Sequence, residues 1–417
     1  MTSEHVREQT TPRRPPPVPV APPSALTGLL RRASAAASPS PRRPVGAPRG
    51  PLAQPIVRHL LLGIGGLAVV WVITSSVSSY DNFQIAQIGA YVVAVAGLSV
   101  LIGLNGQISL GHGALMMVGA YATALLTIHT GLPLLAVLVL SLAAAGLAGL
   151  IIGLGAARLR GPYLAGATLA LAVGLPGVPY RWPGALGGGT GFSITQPVPP
   201  TFLGSNFDPQ EWIAWISAIS AVITLIVLAN LIRSRFGRSF RTVRDDEIVA
   251  SLAGVHVART QILAFVVSAA CAGLGGALLA LSTGTVNPLG FPLSLSIALL
   301  AAVVVGGLGS LTGAIWGGIL IVYLPQWATS VSNDFGFSKA VSSNLAFGFY
   351  GLVLIVVMLT FPGGIQGAVR RLWAGLRALV ARYSSPAAAG PDTNSQEQGG
   401  GAVGSVASPA PREMGEP

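Results

Sequence analysis

The sequence predicts an all-α, polytopic membrane protein of about 8–10 transmembrane helices with disordered N- and C-terminal tails. Three observations predict it. Of 417 residues, 52% are hydrophobic and only 9% charged, against about 25% charged in soluble domains. The apolar residues gather into long runs between residues 59 and 361, for a mean hydropathy of +0.68. The two ends are different: residues 1–55 are rich in Pro, Arg, Ala and Ser, and residues 383–417 are similar in kind.

Taken in order, residues 1–55 cannot bury enough apolar surface to offset their ordering entropy and read as a disordered tail. A polar leader of this length does not fit the n-region of a signal peptide. Residues 56–382 form the transmembrane domain. Its candidate helices are 59–78, 83–104, 113–129, 133–157, 162–177, 211–232, 261–283, 293–306, 310–325 and 344–361. A crossing needs about 20 apolar residues, so the eighth and ninth read as partial or tilted. Ten crossings place both termini on one side. From residue 58 to 382, that side receives Arg58, Arg158, Arg160, six arginines between 233 and 259, Arg370, Arg371, Arg377 and Arg382. The other receives Arg181 and Lys339. The imbalance puts both tails and the loop 233–260 in the cytoplasm, and the connection 178–210 outside. That connection carries Gly187-Gly-Gly-Thr-Gly191 and several prolines, and reads either as a surface for an external partner or as a linker. The formal net charge of +11 follows from this topology and argues against a nucleic-acid surface. The single cysteine, Cys271, lies in an apolar run and reads as packing.

The loop 233–260 is where charge concentrates. In Arg241-Thr-Val-Arg-Asp-Asp-Glu-Ile-Val-Ala-Ser-Leu-Ala-Gly254, Asp245 is placed to cap a short helix, with Asp246 and Glu247 in its first turn. Gly254 ends it in a left-handed conformation. Ile248 and Leu252, four apart, share a face. A short amphipathic helix on a platform carrying Arg241 and Arg244 suits docking to a soluble partner. The same residues are also consistent with a solvated loop whose arginines only fix topology.

A polar cluster, Asn105-Gly-Gln-Ile-Ser-Leu-Gly-His112, interrupts the apolar runs and reads as an irregular junction between two helices. Gln107, Ser109 and His112 are candidates for lining a solute path or its gate; the plainer reading is that they satisfy exposed backbone groups at a tight turn. Gly309, Gly313 and Gly317 recur every fourth residue, as do Ala145, Gly149 and Gly153, the spacing that lets membrane helices approach closely. From residue 81 to 361, no carboxylate falls at the middle of a predicted membrane helix, which disfavours an ion-coupled carrier. The one lysine, Lys339, is followed by Ala340, so there is no Walker motif. Nothing suggests a metal site or a nucleophile–base pair, so the chain is not expected to be an enzyme.

Several motifs now carry a resemblance. Gly106-Gln-Ile-Ser-Leu-Gly-His-Gly-Ala114 with Gly119-Ala-Tyr121 resembles the signature of LivM-type permeases, membrane subunits of branched-chain amino acid ABC transporters. Arg158-Leu-Arg-Gly-Pro-Tyr-Leu-Ala165 with Thr168-Leu-Ala170 is similar to the next motif of that family, and the stretch Phe236–Glu247 with Ala253-Gly254 matches its charged loop. Gly306-Gly-Leu-Gly-Ser-Leu-Thr-Gly313 and Asn287-Pro288 also fit. The resemblance implies a bacterial inner-membrane importer with a second permease subunit, two cytoplasmic ATPase subunits and an extracytoplasmic solute-binding protein. ATP and Mg would be used by the partner ATPase, and this chain would bind no cofactor and no nucleic acid. The helix near 247–252 would dock in a groove of the ATPase, with Ile248 and Leu252 as anchors. Arg241, Arg244, Asp246 and Glu247 would form the rim. Val173-Gly-Leu-Pro-Gly177 departs from the family, which often has a polar or acidic residue there. A urea or short-amide permease is therefore the alternative, and an ion-coupled secondary carrier or a membrane scaffold are more distant rivals.

Overall fold

The computed structural model describes residues 55–156, 162–201, 207–334 and 363–384, with a few isolated positions between 348 and 360. Arg158, Arg160, Lys339, both expected tails apart from their innermost residues and most of the expected helix 344–361 lie outside the described residues. The chain divides into residues 1–58 and 59–417; of the first unit, residues 55–58 are described, as the first turn of a helix.

The described residues are almost entirely helical, as expected, and eight helices are long and apolar enough to cross a membrane. Helix α1 spans Pro55–Thr74. Helix α2, Ser79–Ser99, starts at a capping box in which the Ser78 hydroxyl accepts from the Asp81 amide and the Asp81 carboxylate accepts from the Ser78 amide. It runs on into a π-helical turn, Val100–Leu104. After the break at 106–111 come α3, His112–Thr130; α4, Leu134–Ala156; and α5, Pro162–Gly174. Asp208 caps α6, Pro209–Arg233, with the proline at a position where a missing amide costs nothing. Next are α7, Arg235–Asp245; α8, Glu247–Leu252; α9, Val257–Thr283; α10, Leu293–Gly306; α11, Leu311–Asp334; and α12, Gly364–Ser384.

Helix α9 is the hub. It packs along α4, α2 and α3, while α2 also packs along α6 and α11. Three glycines within one turn of α9 make this possible, because each admits a different neighbour. A Cβ at Gly273 would strike the Ala145 side chain of α4, one at Gly275 the Ala90 carbonyl of α2, and one at Gly276 the Met116 carbonyl of α3. In a bilayer, helix association rests on close van der Waals packing, so small residues at crossings set the geometry. Gly149 continues the α4 contact, facing Ala269, and Cys271 packs against Gly97.

Two sequence expectations change here. The connection 178–210 is neither free nor wholly irregular over its described part. Short helical turns at Val178–Arg181 and Pro183–Leu186 precede a strand, β1 (Phe192–Ser193), which pairs antiparallel with β2 (Thr285–Val286) beyond the end of α9. The Gln196 amide then donates to the carbonyls of Leu281 (3.3 Å) and Ser282 (2.8 Å), and Ile194 is buried. Sequence reasoning missed this because the ladder joins residues about 90 positions apart. Gly309, spaced with Gly313 and Gly317 as if on one helix, instead precedes α11, in a turn where its φ of +72° favours glycine. There it allows close approach to Gly103 in the π-helical turn. Gly313 lies against Gly306, and Gly317 against the Ala302 carbonyl, across the α10–α11 hairpin.

Candidate functional site

The charged stretch 234–256 folds into two helices. Its first, α7, is more than the basic platform expected: Gly237, Phe240 and Val243 are buried on one face while Arg238, Arg241 and Arg244 recur at three-residue spacing toward solvent. The Ser234 hydroxyl accepts from the Phe236 amide to start it (3.1 Å), and Arg241 donates back to the Ile232 carbonyl (2.8 Å). The signal was present in the sequence as Phe240 and Val243, three apart among polar residues.

Because α7 continues through Asp245, the cap of the next helix moves one residue along. Asp246, in extended backbone (φ −161°, ψ 117°), accepts from the amides of Ile248 (2.7 Å) and Val249 (3.1 Å). Asp245, the expected cap, instead ends α7 and accepts two hydrogen bonds from the Arg244 guanidinium (3.1 and 2.8 Å). Glu247 is the first residue of α8, and its carboxylate accepts from the Gln261 amide (2.8 Å) on α9. Gly254 closes α8 in the left-handed region (φ +80°). Its amide reaches Ser251 O and that of Val255 reaches Ala250 O, both at 3.0 Å, the Schellman pattern. Only Ala250 of α8 is buried. Ile248 is 73% exposed and Leu252 83% exposed, with Val249 beside them also exposed. A helix capped at both ends thus holds three apolar side chains out in the open.

Arg244 links this element to the helix break. Its Nη1 donates to the Gly103 carbonyl (2.7 Å) in the π-helical turn, while its aliphatic stem lies against Gly106. Asn105, Gln107, Arg244, Asp246 and Glu247 line a pocket of about 600 Å³, with Ile108, Leu164 and Val243 as its apolar wall. Asn105 and Gln107 are buried; both polar atoms of the Asn105 carboxamide and Gln107 Oε1 have no hydrogen-bond partner among the described residues. Sequence reasoning singled out Gln107 but not Asn105. Nothing in the pattern separates the two, since burial comes from α7 folding over the break.

Ser109 and His112, grouped with Gln107 in sequence, sit elsewhere. Both are fully buried. Ser268 on α9 donates its hydroxyl to the Gly97 carbonyl (2.8 Å), so the 2.8 Å contact between His112 Nε2 and Ser268 Oγ requires the imidazole to donate from Nε2. Nδ1 is then the acceptor facing Ser109 Oγ (3.4 Å). The junction is further held by Thr168, whose hydroxyl accepts from the Leu110 amide (3.0 Å), and by Ser296, which accepts from the Gly113 amide (3.0 Å). His112 therefore staples α3 to α9 and, through Ser268, to α2. Replacing it with alanine removes a buried donor and leaves a cavity, together costing about 2–3 kcal/mol. A thermal-unfolding series is expected to show this loss for His112→Ala and a smaller one for His112→Gln, which keeps a donor.

Comparison with known proteins bears on the whole helical assembly. The permease protein LivM of the high-affinity branched-chain amino acid transport system of Salmonella typhimurium is 32% identical over 285 residues, covering 63% of this chain and 66% of LivM. The Escherichia coli LivM is 32% identical over 279 residues, 61% of this chain and 65% of that protein. The chain thus spans slightly under two thirds of the length of these relatives. The Escherichia coli permease protein LivH is 36% identical over 135 residues, 32% of this chain and 40% of LivH. No solved structure matches. Residues 83–358, from the second turn of α2 to beyond α11, match the family described as branched-chain amino acid transport system, permease component. The chain belongs to that family of membrane permease components.

Proposed function

We propose that the chain is the membrane subunit of an ATP-driven importer that carries branched-chain or other apolar amino acids into the cell. The observation that carries the coupling part of this reading is α8: Ile248 and Leu252, held outward on a helix capped at both ends, form an apolar knob suited to a groove on a partner. Behind the knob, Arg244 reaches the Gly103 carbonyl at the helix break. A displacement of α7 and α8 by the partner would be passed to the junction 105–111 through that hydrogen bond and the packed Phe240 and Val243. Two cytoplasmic ATPase subunits would hold ATP and Mg. A second permease subunit would complete the path, an extracytoplasmic binding protein would deliver the solute, and this chain would perform no catalysis itself. The excess of arginine around residues 233–259 supports a cytoplasmic position for α7 and α8, and with them for both termini.

Uptake into vesicles holding this chain with its neighbouring permease, ATPases and binding protein tests the proposal, comparing labelled leucine with labelled urea, with and without internal ATP. Leucine accumulation that requires ATP is the expected result. ATP-dependent uptake of urea alone would move the substrate class and keep the architecture. Solute entry indifferent to ATP would overturn the coupling mechanism.

A further inference from the structure

Helix α12 begins at the packed end of the bundle and then leaves it. Gly364 is buried, close against Gly307, and Arg370 Nη2 donates to Ser310 Oγ (3.3 Å) in the α10–α11 turn. From residue 370 to 377 every side chain is exposed. Among them are three large apolar ones: Leu372 (66% exposed), Trp373 (58%) and Leu376 (49%). At 100° per residue these fall on one side, with Arg371 opposite and Arg370 and Arg377 on the flank beyond Trp373. The whole segment 364–384 carries four arginines and no acidic residue.

We propose that α12 lies on the membrane surface and binds an anionic phospholipid, its phosphate between Arg370 and Arg377. Two observations select this occupant. The charge is uniformly positive, which suits a phosphate-bearing surface better than the mixed charge of a typical protein face. The helix also follows the apolar segment 344–361 directly in sequence, so it starts where that segment would meet the headgroups. A groove of about 590 Å³ runs along it, lined by Gln366, Val369, Arg370, Trp373, Ala374 and Arg377. Its arginines are two helical turns apart with the indole between them. That spacing places cationic ends at headgroup depth while Trp373 takes the interfacial position that aromatic rings favour.

The test uses the full chain in nanodiscs of phosphatidylcholine containing increasing phosphatidylglycerol, with bromine on the tails of one lipid or the other. Tryptophan fluorescence is expected to be quenched more by brominated phosphatidylglycerol than by brominated phosphatidylcholine at equal fraction. Trp373→Phe should remove that excess. R370Q/R377Q should need about thirtyfold more phosphatidylglycerol, from the contribution of each basic side chain near an anionic surface, and R370K/R377K should stay near wild type. Arg371→Gln, on the other side of the helix, reports any general loss of fold. Equal quenching by both lipids, or an excess that survives Trp373→Phe, overturns the proposal. Displacement by millimolar inorganic phosphate would assign the site to a free anion, and loss of quenching only when the transport partners are added would assign the face to a protein. No transport is measured, so these outcomes are independent of the importer reading.

Discussion

Gly276→Val is expected to prevent stable assembly of the helical bundle, with the largest loss of any single substitution considered. At this position a Cβ would lie against the Met116 carbonyl, closer than real Cβ atoms approach backbone, and neither helix backbone can move without disturbing others. Helix α9 is held on its remaining sides by α2 and α4. Overpacking a core costs about 1–3 kcal/mol when side chains can adjust; here the obstacle is main chain on a crowded crossing, so about 3 kcal/mol or more is expected. Gly65→Val and Gly155→Val are the controls, since a Cβ at either position meets nothing within 4 Å. Detergent-solubilised protein should show the loss as low yield of monodisperse material and a depressed unfolding midpoint for Gly276→Val only. A Gly276→Val protein as stable as the controls would mean that the α3–α9 crossing is not the close contact described.

The second large effect is on partner binding. Replacing both Ile248 and Leu252 with aspartate should abolish association with the ATPase subunits proposed as partners while leaving the unfolding free energy of the permease within about 0.5 kcal/mol of wild type, because both side chains are exposed. Apolar anchors that fill a partner's pocket commonly cost about 2 kcal/mol or more each on removal, so the pair is worth at least about a thousandfold in affinity. Co-purification of the ATPase from co-expressed subunits reads this directly. Asp246→Ala separates anchoring from helix integrity: it removes a cap that holds two amides and should cost about 1 kcal/mol of local stability, weakening the contact without erasing it. Full association of the double aspartate variant would exclude α8 as the docking element.

Membrane helices are legible in sequence because a bilayer demands about 20 apolar residues and internal satisfaction of every backbone group. The expected segment 293–306 matches α10, and 211–232 lies within α6 at 209–233. The short helix ending at Gly254 was also legible, since caps act through local hydrogen bonds between residues a few positions apart. Its start was misplaced by one residue for a non-local reason. Phe240 and Val243 bury a face of α7 and carry that helix through Asp245, which leaves Asp246 as the cap.

The polar junction shows the same division more sharply. That residues 105–112 break the helical run follows from their glycines and polar side chains alone. Which of them faces a pocket and which is sealed in the core does not, since it depends on α9 and α7 arriving from more than 130 residues away. Ser268 claims His112 for the core, and Arg244 closes over Asn105 and Gln107. Sequence by itself therefore determined the helical membrane architecture, the break and the capped helix beside the charged loop. Only tertiary packing decided that Gly309 is a turn residue, that the connection after α5 is pinned by a two-residue ladder, and that the charged element is joined to the break through one arginine. The physical reason is range: capping and hydrophobic runs are local, whereas close helix contacts and buried hydrogen bonds are set by which distant backbones can approach.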